Sequence, residues 1–204
     1  MRLAQKYQVS TQFKIVERFF IANRPSTGVI RAPPTTTFPT YGNIAPVLIG
    51  DCTFAAVANW ENIVLGVNPD PTLIGLEFSQ AGGTLNVGLT NDQVFSYWQK
   101  YGINGKFLRS SKLYKTDPLD LENILDNSTS RAVIASLNFT KGESFAGNTI
   151  PESTYHWVVV DGYTPEGPLV VTWGQTLQMT WQQWNVEAVA MWGVTVQDGP
   201  EISN

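Results

Sequence analysis

The spacing of apolar residues changes along the chain, from helical periodicity in the first half to strand-like runs in the second. After Cys52, apolar side chains recur at Phe54, Val57 and Trp60, which lie on roughly one side of a helix. Gly66 follows this pattern, and glycine commonly terminates helices. The pattern therefore predicts an amphipathic helix that begins at Cys52 and ends near Gly66.

Two further helices are predicted from their start signals. Thr90 and Gln93 have the spacing of a capping box, and Gly102 closes the helix that follows. The side chains predicted to face the core from this helix are Val94, Tyr97, Trp98 and Tyr101. Pro118 has the position of a first helical residue and opens the other helix. Residues 68–83, which begin with proline breakers and end with glycines, predict a loop.

The second half of the chain contains short runs rich in β-branched and aromatic residues, which predict strands. These strands are Ala132–Phe139, Tyr155–Tyr163, Leu169–Trp173 and Val189–Val196. The middle pair is predicted to form a hairpin, residues 140–154 a loop, and a short helix capped by Thr180 precedes the last strand. Because helices precede strands, the predicted fold class is α+β, with N-terminal helices packed on an antiparallel β-sheet.

Residues 1–40 differ in composition from the rest of the chain. The stretch from Arg31 to Thr40 is rich in proline and threonine, which block helix formation and favour an extended, solvated path. We therefore predict two parts, an extended N-terminal arm over residues 1–40 and a domain over residues 41–204. The arm is interpreted either as a linker or as a segment that docks onto a partner.

Composition narrows the classes of function. The chain has 204 residues, a formal net charge of -4 and a pI near 5.0, so it lacks the basic balance of a nucleic-acid-binding surface. No apolar run has membrane-spanning length and no secretory signal is found. With one cysteine and one histidine, no internal disulfide, metal site or cofactor is expected, and the lack of a disulfide predicts a reducing compartment or a particle assembled in one.

Cys52, the single cysteine, stands at the predicted start of a helix. The unpaired N–H groups and the positive dipole end at that place favour a thiolate and can also bind an oxyanion. Asp51 would raise the pKa of the thiol if its carboxylate pointed at the sulfur, but its more ordinary role is to cap the helix. Free cysteines are usually buried packing residues, so position alone leaves packing and catalysis open.

His156, the single histidine, begins a predicted strand about a hundred residues after Cys52. A cysteine–histidine pair is the basis of thiol acyl transfer, because the imidazole takes the thiol proton and an ion pair leaves a reactive thiolate. A lone histidine is more often a structural residue. The residues alone therefore allow either a catalytic pair or two packing side chains.

Several short blocks occur in a fixed order along the chain: Tyr41–Asn43, Gly50–Thr53, Tyr97–Ile103, His156–Tyr163, Val170–Gly174 and Met179–Trp181. This order resembles the papain-like cysteine peptidases, and most closely the small papain-like proteins encoded by bacteriophages and prophages. The resemblance covers about residues 41 to 196. The resemblance implies a papain-like fold, in which a helix that carries the cysteine packs on a sheet that carries the histidine.

The resemblance also implies roles for individual residues. Cys52 matches the nucleophile and His156 the general base. Asn43 is the side-chain amide available for the oxyanion hole, where the family has a glutamine. Trp173 and Gln175 are candidate cleft residues, although a core position for the tryptophan and an exposed loop position for the glutamine are the ordinary alternatives.

The chain departs from the family pattern at the residue that orients the imidazole. The asparagine expected two residues before the Trp-Gly pair is replaced by Val171, whose side chain cannot accept the imidazole N–H. Thr172 is expected to point to the opposite face of its strand. Asp161 lies five residues after His156 and is also expected on the opposite face. The sequence therefore predicts a catalytic pair without an identified third member.

Two functions follow from the resemblance. The first is thiol hydrolysis of a peptide or isopeptide bond in a peptide or protein substrate. The second is a non-catalytic phage virion protein on the same scaffold, such as a head decoration, stopper or tail-associated protein, which would contact neighbouring virion proteins through the 1–40 arm. The matching locations are the cytoplasm of the host cell and the virion. Neither function is expected to involve nucleic acid, a membrane, a metal or a cofactor.

Overall fold

The computed structural model describes residues 51–84, 87–127, 132–140, 143–145, 148–150, 154–172 and 175–199. The predicted arm over residues 1–40 lies outside the described residues, as do residues 41–50. The boundary between arm and domain therefore stays a prediction.

The helices of the described part of the chain lie mainly in its first half. They are α1 (Cys52–Leu65), α2 (Pro71–Gln80), α3 (Asn91–Tyr101), α4 (Pro118–Asn127) and α5 (Trp181–Glu187). The strands are β1 (Lys106–Tyr114), β2 (Val133–Phe139), β3 (Glu143–Phe145), β4 (Asn148–Ile150), β5 (Thr154–Thr164), β6 (Gly167–Thr172), β7 (Gln175–Gln178) and β8 (Ala188–Asp198).

The main sheet has six strands in the order β1-β8-β2-β5-β6-β7. Each adjacent pair is antiparallel, and β5 and β6 form the predicted hairpin. β3 and β4 form a separate antiparallel pair. The predicted α+β class, with helices packed on an antiparallel sheet, is confirmed.

The main sheet separates two hydrophobic cores. On one face, Phe54 and Trp60 of α1 pack in the same core as Trp157 of β5. On the other face, Val158 of β5 packs in a core with Trp184 of α5. Successive residues of β5 therefore point into different cores, as strand geometry requires. A slip of one residue would move every side chain of the strand to the wrong core, so this alternation fixes its register.

Local hydrogen bonds set the helix boundaries where the sequence predicts them. α1 ends at Gly66, which has a left-handed φ of 68° and donates its N–H to the Asn62 carbonyl. Thr90 and Gln93 form both halves of the predicted capping box at the start of α3. The same motif, built on Thr180, starts α5. These helices thus begin and end for reasons that are local in the sequence.

One predicted loop is wrong because a proline interpreted as a helix breaker is a helix start. Residues 68–83 contain α2, with Pro71 at its first position and Asp70 as its cap. The carboxylate of Asp70 accepts the Thr72 N–H at 2.8 Å. A proline at the first helical position loses nothing, since the N–H it lacks would have no partner inside the helix.

Three other parts of the prediction need correction. β1 is mostly exposed and polar, so it carries no alternating apolar pattern. The predicted loop over residues 140–154 contains β3 and β4, and Gln175 begins a strand, β7, rather than lying in a loop. In α3, Val94 and Trp98 are buried as predicted, but Tyr101 is 58% exposed and is therefore not a core residue.

Candidate active site

Cys52 is the first residue of α1, as predicted, and its side chain is partly exposed. The first hydrogen bond of the helix joins the Ala55 N–H to the Asp51 carbonyl, so the earlier N–H groups lie outside the helical ladder. The backbone N–H groups of Trp157 on β5, of Thr53 and of Cys52 itself lie close enough to the sulfur to oppose the rise in the thiol pKa that burial causes. The helix start and the strand together therefore surround the sulfur with backbone donors.

The surroundings of the thiol nevertheless disfavour its ionised form. Burial raises the pKa of Cys52 to about 11; the negative charge of Asp51 adds to this rise, and the backbone donors oppose it. The expectation that the helix N-terminus holds a thiolate is therefore wrong for this chain. Desolvation outweighs the backbone N–H groups, and the resting group is a neutral thiol.

His156 is buried near the start of β5, and its Nε2 lies 2.7 Å from Thr172 Oγ1. Burial lowers the pKa of His156 to about 4, so the imidazole is neutral at neutral pH. The thiolate–imidazolium pair expected from the sequence is therefore not the resting state. Both groups are neutral before any substrate binds.

Strand alternation places His156 and Thr172 on the same face of the sheet. His156 pairs with Leu137 across the regular β2–β5 ladder, and Leu137 belongs to the core on the α5 face. Thr172 follows Val170 of that same core by two residues. Val171 points into the α1 core instead. The prediction that Thr172 faces away from the imidazole is thus wrong, because the imidazole itself lies on the threonine's face.

Cys52 approaches β5 from the α1 face. Its sulfur lies near the backbone N–H of Trp157, the residue directly after His156, which opposes the rise in the thiol pKa that burial causes. The sulfur therefore meets the backbone of β5 one residue away from His156, whose side chain lies on the opposite, α5 face of the sheet.

An aromatic cluster fixes the strand at this point. The Trp157 ring lies 5.5 Å from Phe95 and 5.1 Å from Trp192, measured between ring centroids. The Trp157 Nε1–H also donates to Asn91 Oδ1 at 3.0 Å. These contacts hold Trp157, and with it the N–H that reaches the sulfur, against α3 and β8. No residue-type signal in the sequence reveals this role, because the group that contacts the sulfur is backbone.

Two polar side chains that flank the thiol each have an atom without a hydrogen-bond partner in the described part of the chain. Asp51 is 5% exposed and makes no side-chain bond to the start of α1, so the prediction that it caps the helix is wrong. Its Oδ1 is buried and unpartnered, as is Oγ1 of Thr53. Burial raises the pKa of Asp51 to about 7. The carboxyl group therefore changes its charge near neutral pH.

The other predicted site residues are placed only in part. Asn43 and Trp173 lie outside the described residues, and their oxyanion and cleft roles stay predictions. Gln175 is exposed at the start of β7 and pairs with Thr172. It therefore lies beside the residue that holds the imidazole.

A second group of ionisable side chains lies along α1, away from the thiol. Glu61 is fully buried, and its Oε2 accepts the side-chain N–H of Asn104 at 3.1 Å. The backbone N–H of Asn104, a residue with a left-handed φ of 48°, donates to both carboxylate oxygens of Glu77 on α2. Burial raises the pKa of Glu61 to about 8 and the charge of Glu77 adds to the rise. This acidic pair has no signature in the sequence.

The described residues contain no group of three or more His, Cys, Asp or Glu side chains arranged to hold a metal ion. Among those same residues, none of the helices combines the length and the apolar character needed to cross a membrane.

Comparisons with known proteins give a structural similarity alone. No family model and no curated protein matches the chain. Among solved structures, the chain is similar to a candidate C39-like peptidase from Bacillus anthracis, with 11% sequence identity and a TM-score of 0.49. The similarity covers 80% of this chain and 97% of that one. The fold assignment therefore rests on the strand order, register and cores of the chain itself.

Proposed function

We propose that the chain is a papain-like cysteine hydrolase of peptide or isopeptide bonds, with Cys52 as nucleophile and His156 as general base. One observation carries the proposal. The thiol at the start of α1 meets the backbone of β5 next to His156, whose imidazole is held by Thr172. A thiol, a base and a group that orients the base are the parts that nucleophilic thiol catalysis requires.

The bond to Thr172 constrains the roles of the two imidazole nitrogens. When Nε2–H donates to Thr172 Oγ1, Nδ1 carries the lone pair of the base. Because strand alternation places the imidazole on the α5 face and the sulfur on the α1 face, Nδ1 accepts the Cys52 proton only after the imidazole turns towards the sulfur on substrate binding. A threonine hydroxyl is neutral, so it orients the ring but stabilises the imidazolium less than a carboxylate would. Since both groups are neutral at rest, the proton moves as the sulfur attacks rather than beforehand.

The reaction proceeds in two steps. The sulfur bonds to the carbonyl carbon while its proton passes to the imidazole, and the imidazolium then gives that proton to the leaving amine as the C–N bond breaks. Water hydrolyses the thioester and restores the thiol. The backbone N–H groups at the start of α1 stabilise the oxyanion, with Asn43 as the proposed side-chain donor.

The test uses p-nitrophenyl acetate, which acylates reactive thiols without a specificity pocket. Wild-type chain should release p-nitrophenolate with an acetyl group transiently on Cys52, detected by mass spectrometry. Cys52→Ala should abolish this release of p-nitrophenolate. His156→Asn should slow the acylation of Cys52 by about 100-fold, the lower range for loss of a general base. A wild-type rate no greater than that of free cysteine, or an unchanged rate in H156N, would refute the proposal.

Thr172 provides a more specific test of the orienting role. Thr172→Val keeps the shape and removes the hydroxyl, and we expect about a tenfold fall in the acylation rate with little change in the Michaelis constant. Thr172→Ser should restore most of the rate. The matched control is Thr195→Val, because Thr195 bonds Ser110 on the exposed side of β1 and β8. Equal losses in T172V and T195V would contradict the role.

A second candidate function is a non-catalytic protein on the same scaffold, such as a virion component that binds its neighbours through the 1–40 arm. The observation that favours it is the neutral resting state of Cys52 and His156, with pKa values of about 11 and about 4. Fold alone does not decide between a catalyst and a binding protein. A chain that is inert in the acylation assay but is found in purified particles would establish this alternative.

A further inference from the structure

Asp51 occupies the cap position of α1 but does not cap the helix. Its side chain is 5% exposed, and in the described part of the chain its Oδ1 has no hydrogen-bond partner. Asp70, in the same position of α2, shows the ordinary arrangement and accepts the Thr72 N–H at 2.8 Å. The carboxyl of Asp51 is therefore held away from the helix N–H groups that usually stabilise its charge.

We propose that Asp51 controls the reactivity of Cys52, its carboxylate opposing formation of the thiolate and its protonated form permitting it. The two residues are adjacent and both side chains are largely enclosed, and after burial the negative charge of Asp51 is a further cause that raises the pKa of the thiol. The hydroxyl of Thr53, on the other side of Cys52, has no hydrogen-bond partner in the described part of the chain and so does not bond the Asp51 carboxylate. The proposal rests on the proposed function in taking Cys52 as the reactive group.

The control acts near neutral pH because burial brings the pKa of Asp51 to about 7. Among the described groups that face this region, the His156 imidazole is neutral above about pH 4. The other acids on the three helices of this face are Glu61, Asp70, Glu77 and Asp92. Asp92 is exposed at the start of α3, and Glu77 bonds Asn104 away from the thiol. Asp51 is thus the carboxylate whose charge reaches the sulfur.

The test measures alkylation of Cys52 by iodoacetamide from pH 5 to pH 10 in the full chain, in which this is the single cysteine. In the wild type, the rate should rise less than tenfold per pH unit around pH 7, as Asp51 ionises. Asp51→Asn should remove this flattening. At pH 5 the two rates should be equal, and above pH 8 D51N should react about tenfold faster, the effect of one unit in the thiol pKa. Asp70→Asn, the matched helix-cap control, should follow the wild type.

Two results of this experiment would overturn the proposal. Superimposable wild-type and D51N profiles would show that the carboxylate does not act on the sulfur. Acceleration of D51N by the same factor at pH 5 and at pH 9 would show a loosened structure instead of a lost charge. Alkylation needs no substrate, so a chain that hydrolyses no ester but shows the Asp51-dependent profile would refute the proposed function alone.

A second measurement needs no variant and so does not depend on D51N folding. The ¹³C carboxyl signal of Asp51 in the wild-type chain should titrate near pH 7 and shift again when Cys52 ionises at higher pH. A single titration near pH 4, the ordinary value for an exposed aspartate, would overturn the proposal.

Discussion

The buried carboxyl of Glu61 makes the stability of the fold dependent on pH. Its ordinary pKa of 4.5 is raised to about 8, chiefly by burial, with the charge of Glu77 adding to the rise and the bond from Asn104 opposing it. Between these values the unfolded chain has lost the proton and the native chain keeps it. Stability is therefore greatest below pH 4.5 as far as this group is concerned, and falls as the pH rises towards 8.

The size of the effect follows from the interval between the two pKa values. At about 1.4 kcal/mol per pH unit, the loss between pH 4.5 and pH 8 amounts to about 5 kcal/mol. Local opening at high pH would let water reach the carboxylate, so we expect about 3 kcal/mol to be measured. Glu61→Gln preserves an oxygen that can accept the Asn104 N–H and removes the ionisation. The variant should match the wild type at pH 5 and be about 3 kcal/mol more stable at pH 9.

The assay is urea unfolding at pH 5, 7 and 9, followed by tryptophan fluorescence, with the slope of the transition checked for two-state behaviour. Glu166→Gln is the control, because Glu166 is exposed in the turn between β5 and β6 and its pKa is lowered by hydrogen bonds. If E61Q and the wild type lose stability equally between pH 5 and pH 9, the reasoning from burial is refuted.

Two further predictions concern backbone positions. Gly167→Ala should destabilise the chain by about 3 kcal/mol or more, because φ is 150° and a Cβ would lie 2.0 Å from the Met179 carbonyl oxygen; Gly105→Ala, with φ of 73° and open space, should cost only about 1 kcal/mol. Similar losses in the two variants, measured by urea unfolding, would contradict this contrast. Thr90→Ala should cost about 1 kcal/mol through the lost capping box with Gln93. Unchanged stability of T90A would show that solvent replaces the cap.

The parts of the fold that the sequence predicts are those fixed by nearby residues. The capping box at Thr90 and the glycine at Gly66 act within one helical turn, so their sequence signals and their structures coincide. Pro71 shows the limit of this approach, since the same residue breaks one helix and starts another, and the choice depends on Asp70 beside it. β1 is not predicted because it is a mostly exposed strand at the edge of the sheet and lacks an alternating apolar pattern. Its pairing partner, β8, lies far away in the sequence.

The candidate site is harder to predict than the fold because its chemistry depends on the environment of each side chain. Residue types point to Cys52 and His156, but their ionisation depends on desolvation, which arises only when the cores close around them. Likewise, the sequence alone suggests that Thr172 points away from His156, because Thr172 alternates with Val171 along the strand. The register of β5 and β6 shows that Thr172 and His156 share a face and that the threonine bonds the imidazole. A backbone donor such as the Trp157 N–H leaves no trace in side-chain composition.

The position of β8 between β1 and β2 has a consequence for how the chain is made. On the ribosome, β1 emerges long before β8, and until Ala188–Asp198 has left the exit tunnel the backbone of β1 lacks its sheet neighbour. One edge of β2 also lacks its hydrogen-bonding neighbour until β8 has been made. A nascent chain that stalls in this interval exposes two unpaired strand edges, a state prone to aggregation. The main sheet is therefore completed only once β8, the last of the described strands to be made, has left the exit tunnel.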